Sequence, residues 1–288
     1  MVNPQWRRNE SIISPLFHWD CYRYIEINCE SEYEIISLES LFIGSTIKKD
    51  GDFACSNDIF NQLYKAFILD TFISHIDETG LVKRFDAWNF YEWTEGLCYY
   101  EEPSYHAPIN ALLYGALECW CKVSKQLTNN EKKCKYKKAK NLIRLAFDKN
   151  FWNEEKGVYA SYLTDDGMSH YAEYTQAVIL WSGLANGRRA KELCKILKSE
   201  NNLIKISLSS NYFKYDGLIK HKRKNLKFVI EDIKDRWGKM LFDGATSFYE
   251  TELGEKDFDN AGSLCHGWSA LPIYIMGKYL LKIKNKKK

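Results

Sequence analysis

Residues Trp237–Pro272 read WGKMLFDGATSFYETELGEKDFDNAGSLCHGWSALP. Upstream of this stretch and into it, Leu226, Ile230, Ile233, Trp237 and Leu241 recur every three to four residues, the spacing of an amphipathic helix. Downstream, the pattern predicts a helix from about Trp268 to Lys282, bent or begun at Pro272, since proline is tolerated in a first helical turn but not in an interior. Between the two lies a long loop. It carries Asp243, Glu250, Glu252 and His266, and its glycines Gly244, Gly262 and Gly267 permit tight backbone geometry. The stretch thus reads as a helix, a loop dense in titratable groups, and a second helix.

Working outward, the same helix–loop–helix grammar fills the chain from Ser56 onward. Ile59, Leu63 and Phe67, with Phe60, Tyr64 and Ile68, repeat at four and give a broad apolar face. Pro108 opens a helix with Ile109, Leu112, Leu113, Ala116, Leu117 and Trp120 as its stripe. Thr128 and Glu131 form a capping box for the helix bearing Ala139, Leu142, Ile143, Ala146 and Phe147. A turn-rich stretch, NEEKGVYASYLTDDG, precedes helices at about Tyr171–Leu184 and Arg189–Lys198. Roughly seven helices in consecutive pairs make an array of α-hairpins, which closes as a solenoid, a bundle or a toroid. The sequence shows no repeat of fixed period, which argues against a regular solenoid. In a toroid, the long loops Phe85–Tyr105, Phe151–His170 and Asp243–Gly267 would line a central cleft. The first ~50 residues differ. Tyr24–Ile27 and Tyr33–Leu38 read as short strands, too few for a stable sheet alone.

The 288 residues suffice for a sizeable core, and 45% hydrophobic with 27% charged residues is ordinary for a globular protein. A net charge of +3, with basic residues dispersed except for the tail Lys282–Lys288, offers no stripe for nucleic acid. No apolar run reaches the length of a membrane span, and the residues after Met1 are polar, so neither a membrane helix nor a secretory signal is expected. Nine cysteines lack framework spacing. Cys55, Cys194 and Cys265 sit among apolar residues, and free, mostly buried thiols in a reducing cytoplasm are expected. No CxxC or HxxxH pair suggests a metal, and no motif calls for a cofactor. Aromatic residues reach 15%, with nine Trp and nineteen Tyr. Such rings suit stacking on sugars, although on composition alone a large helical core and an AT-rich codon bias account for them better.

Two loops carry the candidate chemistry. Arg84–Pro108, RFDAWNFYEWTEGLCYYEEPSYHAP, sets Asp86, Glu92, Glu95, Glu101 and Glu102 among Trp88, Phe90, Tyr91 and Trp93. The loop after Trp237 supplies Glu250 and His266. Hydrolysis of a glycoside needs one carboxylic acid to protonate the leaving oxygen and one carboxylate to act as base or nucleophile. Aromatic neighbours raise a carboxyl pKa by desolvation, as the acid requires. Taken alone, carboxylates in Gly-rich loops are more often caps and turn formers than catalysts.

The stretch WGKMLFDGATSFYET…GSLCHGWSALPIY resembles the end of the catalytic domain of α-L-rhamnosidases, and WNFYEWTEGL followed by APINALLYGAL resembles an earlier hairpin of that family. FHWDCYRYIEI is similar to the strand that ends the family's β-sandwich, GDFACSNDIFNQLY to the start of its helical domain, and AEYTQAVILWSGL to a mid-barrel helix. All five occur in the family's order. The resemblance implies a mainly α fold, an (α/α) hairpin toroid of the six-hairpin glycosidase type, with residues 1–49 a β-sandwich remnant and residues 50–288 the barrel. It implies inverting hydrolysis of terminal α-L-rhamnosyl bonds. Glu250, which closes the motif GAT-x-x-(aromatic)-E, would be the general base, and Trp88, Trp93, His266 and Trp268 would contact the substrate. His266 would bind a sugar hydroxyl or orient Glu250; a histidine of this kind is otherwise a core residue satisfied by backbone.

The sequence departs from the family after about Ile76. HIDETGLVKRFDAWNFYEW follows the first barrel helix at once, where the family places well over a hundred residues, including an acidic and Arg-bearing motif that supplies the general acid. No D-x-x-x-R-x-x-x-x-G-D segment is present. Asp86, Glu92 and Glu95 are the carboxylates that remain to replace it. The expectation is therefore a glycoside hydrolase-like protein whose ring is incomplete, with a carbohydrate partner. The alternatives are an inactive remnant or a non-catalytic carbohydrate-binding protein. Apolar helix faces exposed by an open ring would favour homo-oligomers.

Overall fold

The protein is described by a computed structural model covering residues 69–85, 89–98, 104–123 and 130–281. All of these fall in one compact unit, residues 53–288. The strands expected before residue 50, the helical face at 59–68, and Thr128 of the capping box lie outside the described residues.

After helical residues 69–74, the elements run β1 (Tyr105–His106), α1 (Ala107–Val123), α2 (Asn130–Phe151), β2 (Trp152–Asn153), β3 (Val158–Tyr159), β4 (Tyr162–Thr164) and β5 (Gly167–Ser169). There follow α3 (Glu173–Ser182), α4 (Gly187–Ile196), α5 (Asn211–His221), α6 (Leu226–Phe242) and α7 (Leu271–Ile275). A short 3-10 turn, Gly267–Ala270, leads into α7, and a π-helical turn, Met276–Leu280, follows it.

Helices α1, α3 and α5 pack side by side as an inner row, and α2, α4 and α6 each lie against the inner helix that precedes them. Helix α3 is the middle of that row, and nine of its ten residues are buried, as expected of a helix with neighbours on every side. Its approach to α5 depends on Gly217, where a β-carbon would stand 3.1 Å from the Trp181 backbone nitrogen. A single added methyl there would force backbone apart from backbone, because packed interiors hold no slack.

Helices α1, α2 and α6 follow their sequence pattern with adjustments. In α2 the buried stripe is Tyr136, Ala139, Ile143, Phe147 and Phe151, while Leu142 is 40% exposed. In α1, Leu113, Leu117 and Trp120 are buried and Ala116 is exposed. In α6 the buried face is Val229, Ile233, Trp237 and Met240. Leu241, expected on it, points away with Phe242, because 241 falls one residue past the stripe set by Trp237 and Met240.

Two features escape the apolar pattern. The stretch expected as turns folds into two antiparallel ribbons, β2–β3 and a three-stranded sheet in the order β1–β4–β5. Strands of two or three residues are too short for any periodicity to show. Side chains complete the pairing of extended backbone here: Asn110 of α1 bonds both the N–H and the C=O of Val82, which bridges to Ile76, each at 2.8 Å, and Gln176 of α3 does the same for Tyr159 of β3, at 2.9 and 2.7 Å. The second feature is α5, whose buried Lys214 and Asp216 interrupt its hydrophobic run. Asp216 is fully buried yet accepts from Trp181 Nε1 at 3.0 Å, Lys220 at 2.6 Å, Lys278 at 2.8 Å and the Tyr279 hydroxyl. Burial works against its charge, and these donors outweigh it, leaving its pKa below the usual carboxylate value.

The expected burial of thiols is corrected. Six free cysteines are described, and Cys194 is buried while Cys119, Cys134 and Cys265 are exposed. Among the described residues, no helix is long and apolar enough to cross a membrane.

Candidate functional site

A cleft of about 390 Å³ opens between three segments: Trp93–Glu95, Ile204–Ser209, and the loop holding Glu250–Leu253, Asp257, Phe258 and His266. Each segment is positioned by different physics.

The first is anchored from beneath. His106 is fully buried and is pushed down to a pKa of about 3 by burial, with Arg84 adding to the effect. Held neutral, its ring pairs with the Tyr91 hydroxyl at 2.8 Å and with Ser104 Oγ at 2.7 Å, and lies edge-on to Tyr162 at 4.6 Å. The Tyr162 hydroxyl donates to the Gly96 carbonyl, and His170 Nε2 bonds the Glu95 carbonyl at 2.8 Å. Gly96 is left-handed at φ 72° and leaves no room for a side chain, since a β-carbon would stand 2.6 Å from the His170 ring. The result presents Trp93, 55% exposed, and Glu95 into the cleft, while Glu92 turns inward.

Glu92 is 2% exposed. Its Oε1 accepts the Trp93 N–H at 3.0 Å, and its Oε2 has no hydrogen-bond partner among the described residues. Burial raises its pKa above the ordinary value; the nearby Ser207 and Ser210 hydroxyls pull the other way without cancelling it.

The second segment is held by Glu173, in the first turn of α3, where the helix dipole favours a carboxylate. Glu173 reaches Lys205 at 3.2 Å, Asn201 at 3.0 Å and the Ile206 N–H at 3.4 Å, with buried Lys214 at 3.7 Å. Burial alone would raise this carboxyl, and Lys214, Asn201 and Lys205 together carry it below its ordinary value. Thr94 Oγ1 donates to the Lys205 carbonyl at 3.1 Å, joining the first two segments. Nothing in the sequence pattern singled out 204–209 as a wall. The signal lay in Glu173 heading a buried helix, which requires a cation nearby.

The third segment begins where α6 ends at a left-handed Gly244, φ 83°. It is closed at a neck: the Glu250 N–H bonds the Ser263 carbonyl at 2.8 Å, and the Ser263 N–H bonds Glu250 Oε2 at 3.3 Å. His266 joins Phe248 by its N–H at 2.8 Å and Ser269 Oγ by Nδ1 at 3.0 Å; Ser269 in turn accepts from Trp237 Nε1. Arg236 of α6 reaches Glu252 at 2.6 Å. Glu250 and His266 are both half-buried.

Trp93, Glu95, Glu250 and His266 therefore line one cleft, although the chain separates the first pair widely from the second. Glu92 lies buried behind it, and Trp268, 73% exposed, meets it through an edge contact of 5.7 Å with His266. Asp86 and Trp88 lie outside the described residues. The loop 151–170, expected at the rim, instead forms the ribbons that support the first segment. No group of three His, Cys, Asp or Glu side chains among the described residues is arranged to hold a metal.

An inner row of helices covered by outer partners is an (α/α) hairpin arrangement, a glycoside hydrolase-like fold of the six-hairpin glycosidase type. Within that class the chain is related to the rhamnosidases at low sequence identity. Over 78% of its length it superposes on a GH78 family rhamnosidase of Bacillus sp. GL1 with a TM-score of 0.67 and 26% identity. Over 77% it superposes on a rhamnosidase from Klebsiella oxytoca, solved with rhamnose bound, with a TM-score of 0.63 and 18% identity. It spans 24% of the first protein and 43% of the second. A family model for trehalases matches residues 104–214. No curated protein matches the sequence.

Proposed function

We propose that the cleft is a sugar site and that the chain hydrolyses terminal α-L-rhamnosyl or similar residues with inversion. Glu250 is the general base and Glu95 the carboxylate that takes the place of the acid. The observation that supports this most is the convergence of Glu250, His266, Trp93 and Glu95 on one cleft. A base and an acid that hold a water between them need roughly 6.5–9.5 Å of separation, which carboxylates on two different walls can supply. Glu95 is preferred to Glu92 because access precedes pKa, and Glu92 is sealed beneath the wall. The barrel assignment of residues 50–288, the remnant assignment of 1–49 and the shortened connection after residue 76 belong to the same reading. So does a cytoplasmic setting, which the free thiols favour.

The test is turnover of an aryl α-L-rhamnoside by the full chain. Release of nitrophenol is expected, with Glu250→Gln lowering it by about 10²–10⁴-fold and Glu95→Gln by a similar factor. A rate no higher than an empty-vector control refutes the hydrolase. A second reading, carbohydrate binding without turnover, is favoured by one observation: the carboxyl of Glu92, which burial holds toward the neutral form an acid requires, does not open into the cleft. It predicts sugar binding that survives Glu250→Gln and weakens with Trp93→Ala.

A further inference from the structure

Phe258 occupies a backbone conformation that suits few residues other than glycine. Its φ is 52°, and the next two residues, Asp259 at 58° and Asn260 at 67°, are left-handed as well. Asp and Asn tolerate this region because their short polar side chains bond locally; a bulky aromatic residue does so only under strain. The turn cannot relax by sliding. The Ala261 and Gly262 N–H groups both bond the Asp257 carbonyl at 3.0 Å, and a β-carbon on Gly262 would stand 1.9 Å from the Gly254 carbonyl oxygen.

The fold gains little from the ring held there. Phe258 is 48% exposed and lies outside the hydrophobic core. It lines the same cleft as Trp93, which comes from a different loop and is likewise half exposed. Strain retained at an exposed aromatic residue in a cleft points to a ligand rather than to packing.

We infer that Phe258 is a sugar-stacking residue, a second aromatic platform beside Trp93 that takes the apolar C–H face of a neutral pyranose. The inference rests on reading the cleft as a sugar site. The neighbouring acceptors fit such a guest: Asp257, Glu252 and Glu250 line the same space and accept hydroxyl protons. The strained left-handed turn fixes where the ring stands.

Glycine enters the left-handed region freely, so Phe258→Gly separates the two roles. The full chain and its variants are titrated with methyl α-L-rhamnopyranoside by ligand-observed NMR, and their melting temperatures are measured in parallel. Phe258→Gly is expected to melt at or above the parent temperature while its affinity falls about tenfold. Phe258→Tyr, which keeps a flat ring, retains the affinity. Unchanged affinity in Phe258→Gly overturns the inference and leaves the sugar site standing. A melting temperature several degrees lower overturns it too, because the ring would then be holding the fold. If the parent chain does not bind this glycoside, the rhamnosyl reading of the cleft falls, and the role of Phe258 falls with it.

Discussion

The segment carrying Trp93 and Glu95 is held from below by the rings of His106, Tyr162 and His170, whereas the loop carrying Glu250 and Phe258 is held at its neck and by an ion pair on its flank. The first wall belongs to the core: Glu92, Thr94 and Leu97 are all buried, the His106–Ser104 hydrogen bond is buried and those of Tyr91, Thr94 and Tyr162 are part-buried. The second is largely solvent-facing, with Leu253, Phe258 and Leu264 exposed. Where bonds are buried, breaking one leaves an unsatisfied group; where they are exposed, water replaces the lost partner. The two walls should therefore respond very differently to comparable substitutions.

The largest effect is expected at His106. Replacing it by alanine removes one buried and one part-buried hydrogen bond and the ring contact with Tyr162, and leaves a cavity. A loss of about 3 kcal/mol of unfolding free energy is expected by denaturant titration. The same residue gives the first wall a pH limit. Its folded pKa, about 3, is below its ordinary 6.5, so the unfolded chain takes up the proton first. Its contribution is complete above pH 6.5 and is lost as pH falls from 6.5 toward 3. Melting temperatures should drop across that range in the parent and drop less in His106→Phe. An equal drop would show that His106 does not set the limit.

Much of this contrast could be read from the residues in advance, and the remainder had physical reasons to stay hidden. Helices α1, α2, α4 and α6 follow apolar spacing because water must be excluded from one face of each, while α3 is buried nearly all round. Helix α5 does not, since Lys214 is buried against Glu173 and Asp216 against Lys278, charges from other elements, and a sequence does not announce its pairs. The loops with Glu95, Glu250 and His266 stood out by composition, and a motif resemblance tied them together. The wall at 204–209 did not, because its placement is set by Glu173 and by the parallel bridge between Ala172 and Ile204. The inward turn of Glu92 was equally hidden: in a string of alternating rings and carboxylates, the loop's own composition does not say which one is buried.

A smaller effect is expected at Glu92. Its folded pKa lies above its ordinary value of 4.5, so the fold favours the neutral carboxyl. That contribution is complete below pH 4.5 and is lost as pH rises through the folded pKa, which leaves a penalty at neutral pH. Glu92→Gln keeps an acceptor for the Trp93 N–H and removes the buried charge. It should raise stability by about 1 kcal/mol at pH 7 and have no effect near pH 3, as read by melting curves at both values. A loss at pH 7 would mean that Glu92 is charged and paired in the fold.

The smallest effect belongs to the second wall. Glu252→Gln weakens the ion pair with Arg236, whose carboxylate side is 40% exposed. Solvent screens that pair, and Arg236 keeps Asp232 at 3.3 Å as a second partner, so the cost should stay below about 1 kcal/mol and shrink further in high salt. The loop would keep its neck, since the Glu250–Ser263 bonds do not involve Glu252. A cost equal to that of His106→Ala would erase the difference between the walls and make the Arg236–Glu252 contact a structural anchor of the cleft. A cost near zero, together with an unchanged sugar affinity, would confine the holding of the loop to Glu250 and Ser263. The carboxylate proposed as the base would then also be the group that keeps its own loop closed.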